Sequence, residues 1–420
     1  MEKEILKWWQ QEKIFEKSIE SRPGDKRFVF YEGPPSANGK PGIHHVMSRA
    51  LKDLFCRYKT LQGYRVERKA GWDTHGLPVE LGVEKQLGIT KADIGTKITV
   101  AEYNRLCRED VMKFTDIWND LTQKMGYWVD LDHPYITYEN NYIESLWALL
   151  KKFYDKGLLY EGYTIQPYSP AAGTGLSSHE LNQPGCYRDV KDATAVAMFK
   201  VKEEAKSKFL FEKAGGEVHF LAWTTTPWTL PSNTALAVGK EIDYVLVKTF
   251  NPYTHLAINV VLAKDLAGKY FAEPNAGLSL ANYKAGDKAI PFSVLATFKG
   301  AQLEGINYEQ LLPYAQPKDG DAFRVLLGDF VTTSNGTGIV HIAPSFGSDD
   351  FRVAKQNGIG SLTLVDRQGK FTDDVNDPKF PLDGRYVKEG YYTDEEKAKE
   401  FHLQKEILRV NNIIPHLKSH

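Results

Sequence analysis

Phe28-Val29-Phe30-Tyr31-Glu32-Gly33-Pro34-Pro35-Ser36-Ala37-Asn38-Gly39-Lys40-Pro41-Gly42-Ile43-His44-His45 is the stretch on which the fold turns. The apolar run from Phe28 to Tyr31 suits a short buried strand. From Gly33 to Gly42 the density of glycine and proline leaves only a loop. A helical period starts at His44, with Met47, Leu51, Leu54, Phe55 and Tyr58 at steps of three and four on one face, and Gly63 suits a helix stop. A second strand is expected at Tyr64–Arg68, and then a second loop, Gly71-Trp72-Asp73-Thr74-His75-Gly76. Strand, glycine-rich loop, helix, strand, loop is the start of a parallel α/β unit, whose ligands collect at the strand ends. The free N–H groups of a helix opening after Gly42 suit a phosphate, and His44 and His45 stand in its first turn. The plainer alternative is a Gly/Pro turn carrying two surface histidines, with Asp73 as an ordinary turn residue.

Upstream, Ile5, Trp8, Trp9, Ile14 and Phe15 recur at helical spacing among charges, an amphipathic arm that Arg22-Pro23-Gly24-Asp25 breaks. Downstream, residues 100–160 read as helices rich in Trp and Leu, including Tyr142–Gly157. The texture changes from Asp192 to about Leu364, where short β-rich segments such as Ala195–Val201, Val218–Trp223, Tyr244–Lys248 and Gly338–Ile342 are broken by Gly and Pro. A separate, mostly β module following an α/β start is the expectation. The tail from Thr393 to Val410 reads as a charged helix. With 420 residues, 42% hydrophobic and 25% charged, the chain can bury two or three cores. Its net charge of −1 neither demands nor excludes a nucleic-acid partner. Cys56, Cys107 and Cys186 show no CxxC pairing, which argues for reduced thiols, no zinc site and no disulfide framework. No apolar run reaches the ~18–20 residues of a membrane span, and the start is not that of a signal peptide, so the cytoplasm is expected.

Two segments of the β module carry further chemistry. Trp223-Thr224-Thr225-Thr226-Pro227-Trp228-Thr229-Leu230-Pro231-Ser232-Asn233-Thr234 is rich in threonine, which strand propensity alone could explain. Gly336-Thr337-Gly338-Ile339-Val340-His341-Ile342-Ala343-Pro344 is followed by Ser345-Phe346-Gly347-Ser348-Asp349-Asp350. An Asp just before a helix is most often an N-cap, and a lone strand histidine a satisfied core residue.

Taken together the strings say more. Tyr31 to Gly39 resembles the segment before the HIGH signature of class I aminoacyl-tRNA synthetases, and Gly71-Trp72-Asp73-Thr74-His75-Gly76-Leu77-Pro78-Val79-Glu80 resembles the second loop of their isoleucine branch, in its eukaryote-like bacterial form. Aligned on Gly33-Pro34-Pro35, the HIGH tetrad falls on Gly42-Ile43-His44-His45, with the first His and the Gly exchanged. The resemblance implies that Gly42, His44 and His45 bind ATP and that the two histidines stabilise charge as a carboxylate attacks the α-phosphate. It implies that Gly33, Pro34, Pro35 and Asp73 hold the amino acid, Asp73 as counter-ion to its ammonium. The threonine-rich and GTG–HxAP–GxDD strings resemble the editing insertion of the isoleucine, valine and leucine enzymes. By that resemblance Asp350 holds the ammonium of a mischarged aminoacyl group. Thr225, Thr226, Thr229 and Asn233 line the pocket and position water, and His341 forms part of the wall that excludes isoleucine. One methylene is worth only about 1–3 kcal/mol, a figure that comes from synthetases separating isoleucine from valine, so a second hydrolytic sieve is needed.

The implied fold is α/β: the N-terminal half of a Rossmann-type parallel nucleotide-binding fold with an inserted, mostly β editing domain. The expected layout is a helical arm over 1–25, the first half of the catalytic fold over 26–165, a connecting segment over 166–192, the editing insertion over 193–395 and a return segment over 396–420. Implied partners are ATP with Mg2+, isoleucine and tRNA(Ile), with no membrane. No KMSKS string is present; Lys206-Ser207-Lys208 is a chance fragment. The expectation is therefore a piece of a longer isoleucine–tRNA ligase. The competing readings are the closely related valine enzyme, a stand-alone hydrolase acting on mischarged tRNA, and a relic that binds without turnover. An ATP loop is superfluous in a hydrolase, which argues against that alternative.

Overall fold

The loop that opens at Gly33 does lie between a strand and a helix. The protein is described by a computed structural model covering residues 1–377, 380–400 and 414–416, and the chain divides into two units, residues 1–162 and 163–420.

The first unit runs α1 (Glu2–Gln11), α2 (Ile14–Glu20), β1 (Phe30–Tyr31), α3 (Ile43–Leu61), β2 (Arg68–Trp72), α4 (Leu77–Leu87), α5 (Val100–Val111), α6 (Thr115–Lys124), β3 (Asp130–Ile136) and α7 (Asn140–Asp155). The strands form a parallel sheet in the order β1-β2-β3, with Phe30 opposite Arg68 and Trp72 opposite Ile136. Helices α3 and α4 each follow a strand, as a parallel sheet requires. Two sequence expectations shift. Tyr64–Arg68 is mostly approach to the strand, with Arg65 making only an isolated bridge to Arg27, and β2 begins at Arg68. Residues 100–160 are not all helical, because β3 interrupts them. Its Asp130, Asp132 and Pro134 hid it, yet proline and charge are tolerated on a strand that, as here, lies at a sheet edge.

A third difference concerns α3. The helix forms as its period predicts, but Met47, Leu51, Leu54, Phe55 and Tyr58 are exposed, while Arg49, Cys56 and Thr60 are buried. Arg49 is held by the Thr122 hydroxyl and lies over the Trp118 ring at 4.9 Å. The inward face is therefore the polar one. The apolar face of α7, with Leu146, Trp147, Leu150 and Phe153, is open in the same way.

The second unit opens with a small hairpin, β4 (Tyr168–Ser169) with β5 (Thr174–Gly175), and α8 (Ser178–Leu181). Then follow β6 (Thr194–Lys200), α9 (Lys208–Ala214), β7 (Val218–Thr224), β8 (Ala235–Val238), β9 (Asp243–Phe250), β10 (Ala257–Ala263), β11 (Ser293–Lys299), β12 (Arg324–Leu327), β13 (Ile339–Ile342), α10 (Ser348–Gln356), β14 (Asn376–Asp377), β15 (Phe380–Pro381), α11 (Asp394–Glu400) and β16 (Ile414–His416). One sheet has the order β11-β9-β10-β7-β6-β16, and a second has β12-β8-β13. The β-rich segments read from sequence are β6, β7, β9 and β13. Of the charged tail, Asp394–Glu400 is helical and the remainder up to Val410 lies outside the described residues.

β8 explains how the second unit closes. All four of its residues, Ala-Leu-Ala-Val, are buried, and alternation sends them to two cores. Leu236 and Val238 join the large cluster of Phe199, Phe220, Leu246 and Val261, where each large side chain contributes roughly 1.5–3 kcal/mol. Ala235 and Ala237 face Val353 and Ala354 of α10, and their small size lets the helix approach. Ala237→Leu should lower unfolding stability by about 1–3 kcal/mol through overpacking against α10. Urea denaturation followed by circular dichroism measures this; an unchanged midpoint would mean that α10 does not seat on that face.

Candidate functional site

In the first unit the two predicted loops meet: the Asp73 N–H donates to the Pro35 carbonyl at 3.1 Å. Glu32, just before Gly33, is buried and accepts from Lys52 Nζ at 2.6 Å and from the Tyr127 hydroxyl. Its carbonyl takes the Tyr135 hydroxyl at 2.6 Å, so the strand end that leads into Gly33-Pro34-Pro35 is pinned from three sides. Asp73 lines a cavity of about 480 Å³ with His75, Thr137, Tyr142, Ile143, Leu146 and Trp147. Of these, only Asp73 was expected from the sequence.

Gly42 is the N-cap of α3, and His45 reaches back to it. The Gly42 N–H donates to His45 Nδ1 at 2.9 Å, which leaves the ring proton on Nε2. Burial, then the neighbouring His44 and Arg49 charges, hold the His45 pKa below the usual histidine value, so the ring is a neutral donor at pH 7. The two histidine rings lie 3.8 Å apart, and the edge of Trp118 meets His45 at 4.7 Å while its indole N–H fixes the Gly39 carbonyl at 2.8 Å. A Cβ added at Gly42 would meet His44 Cε1 at 2.9 Å, so the His44 ring sits where a side chain at position 42 would begin.

In the second unit a cavity of about 320 Å³ gathers Thr225, Thr226, Thr229, His341 and Asp350. Pairing between β8 and β13 makes this possible, since Leu236 stands opposite His341 and the Thr234 N–H donates to Ile342 O at 3.0 Å. The chain leaves β7 at Thr224 and turns through a 3-10 helix, Pro227–Ser232, that points Thr229 inward. His341 Nε2 and Thr229 Oγ1 are 2.8 Å apart, and burial holds the His341 pKa down to about 4, so this ring is neutral too. Thr225 is exposed at the cavity rim. Phe330, Thr332, Ser334 and Asn335 also line the cavity, and no sequence motif announced them.

Two expectations need correction. Asn233 does not line the cavity; it is buried behind His341, with Nδ2 at 2.8 Å from Ala235 O and 3.3 Å from His341 Nδ1. An amide with three neighbouring acceptors is more stable in the core than at a wall. Asp350 does not precede its helix. α10 begins at Ser348 with Gly347 as N-cap, and Asp350 sits in the first turn, where its Oδ2 accepts the Ala343 N–H at 2.9 Å. Burial pushes its carboxyl up to about 6; the Ala343 N–H pulls the other way and the Asp349 charge adds to the rise.

Those two sites sit on a chain whose residues 4–398 match the tRNA synthetases class I (I, L, M and V), and the chain belongs to that family. Within it the similar relatives are isoleucine–tRNA ligases. That of Cytophaga hutchinsonii is 64% identical over 95% of this chain and 36% of that protein, and that of Bacteroides fragilis is 62% identical over 96% and 34%. The chain thus spans about a third of the length of the curated relatives it matches. Among solved structures, the P. knowlesi cytosolic leucyl-tRNA synthetase editing domain gives a TM-score of 0.35 at 11% identity over 54% of this chain and 97% of that one, a likeness too slight to carry weight.

The raised Asp350 pKa carries a stability consequence. Folding favours the protonated form, so the ionised carboxylate destabilises the native state above about pH 6, and the penalty fades as pH falls toward its unfolded value. Asp350→Asn should therefore stabilise the chain at pH 7–8 by on the order of 1–2 kcal/mol and by almost nothing near pH 4. Thermal melts of both proteins across that range would show a gap that closes on acidification; a gap that is constant or reversed contradicts the assignment.

Proposed function

We propose that the chain is the part of an isoleucine–tRNA ligase that carries one side of the amino-acid activation site and a hydrolytic site for mischarged tRNA. The observation that carries the reading is the cavity of the second unit, where a half-buried carboxylate destabilised by its surroundings faces a wall of threonine hydroxyls and a neutral histidine. A carboxylate kept partly out of water gains most when a cation arrives. The α-ammonium of an aminoacyl ester is such a cation, and Asp350 would be its anchor. The threonine hydroxyls of Thr225, Thr226 and Thr229 would hold the attacking water, while His341 and the other lining residues limit the side chain admitted. No protein nucleophile is required, since a held water suffices to cleave an ester.

In the first unit, the reading assigns the ATP phosphates to the N-terminus of α3, with Gly42, His44 and His45, where free backbone N–H groups and imidazole donors can meet growing negative charge. Asp73 would hold the ammonium of isoleucine, with Gly33, Pro34 and Pro35 shaping the loop around it. Mg2+ accompanies ATP in such chemistry. Among the described residues no group of three or more His, Cys, Asp or Glu side chains converges as a metal site, so no residue is assigned to it. By this reading the domain layout is an arm over 1–25, half of the catalytic fold over 26–165, a connector over 166–192, the editing insertion over 193–395 and a return segment from 396. The tRNA partner follows from the same reading. Among the described residues no helix is long and apolar enough to cross a membrane.

Two experiments test it. Asp350→Asn keeps an acceptor for the Ala343 N–H but removes the charge, so hydrolysis of valyl-tRNA(Ile) should fall at least tenfold while the circular dichroism spectrum is retained. Full-rate hydrolysis by a folded variant would leave the cavity without its anchor. In a ligase containing this chain, Asp73→Ala should raise the isoleucine KM in pyrophosphate exchange by the loss of a charged hydrogen bond worth roughly 1.5–3 kcal/mol, about 10- to 150-fold. An unchanged KM removes Asp73 from the site.

A further inference from the structure

Tyr308 belongs to no motif and is wholly buried, yet its hydroxyl begins a chain of hydrogen bonds that ends in the cavity. The Tyr308 O–H donates to Asn233 Oδ1 at 2.7 Å. The Asn233 NH2 lies toward Ala235 O at 2.8 Å and His341 Nδ1 at 3.3 Å. The opposite amide placement would set Oδ1 against the Ala235 carbonyl, two acceptors face to face. Because Asn233 Nδ2 can only donate, His341 Nδ1 must accept, and the ring proton lies on Nε2. From there it is donated to Thr229 Oγ1 at 2.8 Å, and the Thr229 hydroxyl passes its own proton to the Thr226 carbonyl at 2.8 Å.

From Asn233 to Thr229 each link has one direction. Thr229 has spent its only proton, so toward Thr226 Oγ1, 3.3 Å away, it can act only as an acceptor. The Thr226 hydroxyl can therefore donate to Thr229 or to Thr224 Oγ1, 3.4 Å away, and in either case keeps lone pairs for the cavity it lines. A water bound there is held through one of its own protons and keeps a lone pair for attack.

We propose that Asn233, oriented by the Ala235 carbonyl and braced by the Tyr308 hydroxyl, fixes which ring nitrogen of His341 carries the proton, and thereby sets the direction of hydrogen bonding from His341 to Thr229. Tyr308 is a positioning residue: it touches neither water nor substrate. The inference rests on the hydrolytic reading of the cavity for its consequence, though not for its geometry. The neutrality of His341, which burial maintains, is consistent with it.

The test uses the 420-residue chain with histidine ring nitrogens labelled with 15N, the His341 signals being identified by their loss in His341→Gln. At pH 7 the unsubstituted chain should show a neutral ring with the proton on Nε2. Asn233→Asp replaces the donor with an acceptor of the same size, and should move the proton to Nδ1 or charge the ring. Tyr308→Phe should shift the His341 nitrogens toward a mixture of tautomers and slow valyl-tRNA hydrolysis about tenfold, the worth of one buried hydrogen bond. A proton on Nδ1 in the unsubstituted chain overturns the proposal, whatever the variants do. So does a Tyr308→Phe protein with unchanged nitrogen shifts and unchanged rate. If the unsubstituted chain shows the Nε2 proton and the Asn233→Asp inversion but hydrolyses no valyl-tRNA, the hydrogen-bond relay holds and the hydrolytic reading fails.

Discussion

The antiparallel pairing of β8 with β13 is the contact on which the second unit depends. It sets Leu236 opposite His341 and joins Thr234 to Ile342, which brings the end of the threonine-rich segment against the strand that carries the histidine. Because side chains alternate on a strand, a slip of one residue would either turn His341 away from Thr229 or put Leu236 on the face that the alanines now offer to α10. Register, helix position and cavity are thus one constraint. The same strand also pairs in parallel with β12, so it cannot slide without breaking two ladders.

The two candidate sites use electrostatics in opposite senses. At α3 the polypeptide presents N–H groups and a neutral imidazole, His45, whose free Nε2 proton is directed by the Gly42 N–H on its other nitrogen. This is an environment that welcomes negative charge. In the first turn of α10 Asp350 accepts the Ala343 N–H, and burial disfavours its charge, so that a cation beside it would be stabilised instead. One histidine in each place, His45 and His341, is kept neutral by burial and oriented by a donor to Nδ1. In the proposed reading, what differs is the sign of the charge each site receives.

Much of this was legible in the sequence, for identifiable reasons. Gly33-Pro34-Pro35 and Gly71-Trp72-Asp73 punctuate strands and helices, and local punctuation survives any tertiary context. The strands β6, β7, β9 and β13 are apolar enough to declare themselves. β3 was not, because an edge strand carries the aspartates and proline that argue against strand in an average position. The apolar row on α3 gave the helix but not its burial, since periodicity reports an apolar face and not what covers it. Thr226, Thr229, His341 and Asp350 were found through resemblance, and they do converge on one cavity. Asn233 and Tyr308 were misplaced or missed because their importance lies in which neighbour's lone pair they face, and that depends on the pairing of strands remote in sequence.

Thr229 and His341 lie 112 positions apart in the chain, with β9, β10 and β11 between them. During synthesis at roughly 5–20 residues per second, the ribosome extrudes the first wall of the cavity on the order of ten seconds before the second. In that interval the Ala-Leu-Ala-Val segment has neither of its partner strands, because β12 and β13 both come later. A nascent chain therefore leaves this short, uncharged stretch unpaired until its own downstream sequence arrives. Folding of this unit around β8 therefore has to wait until residues 324–342 have been made, a cost of long-range strand pairing.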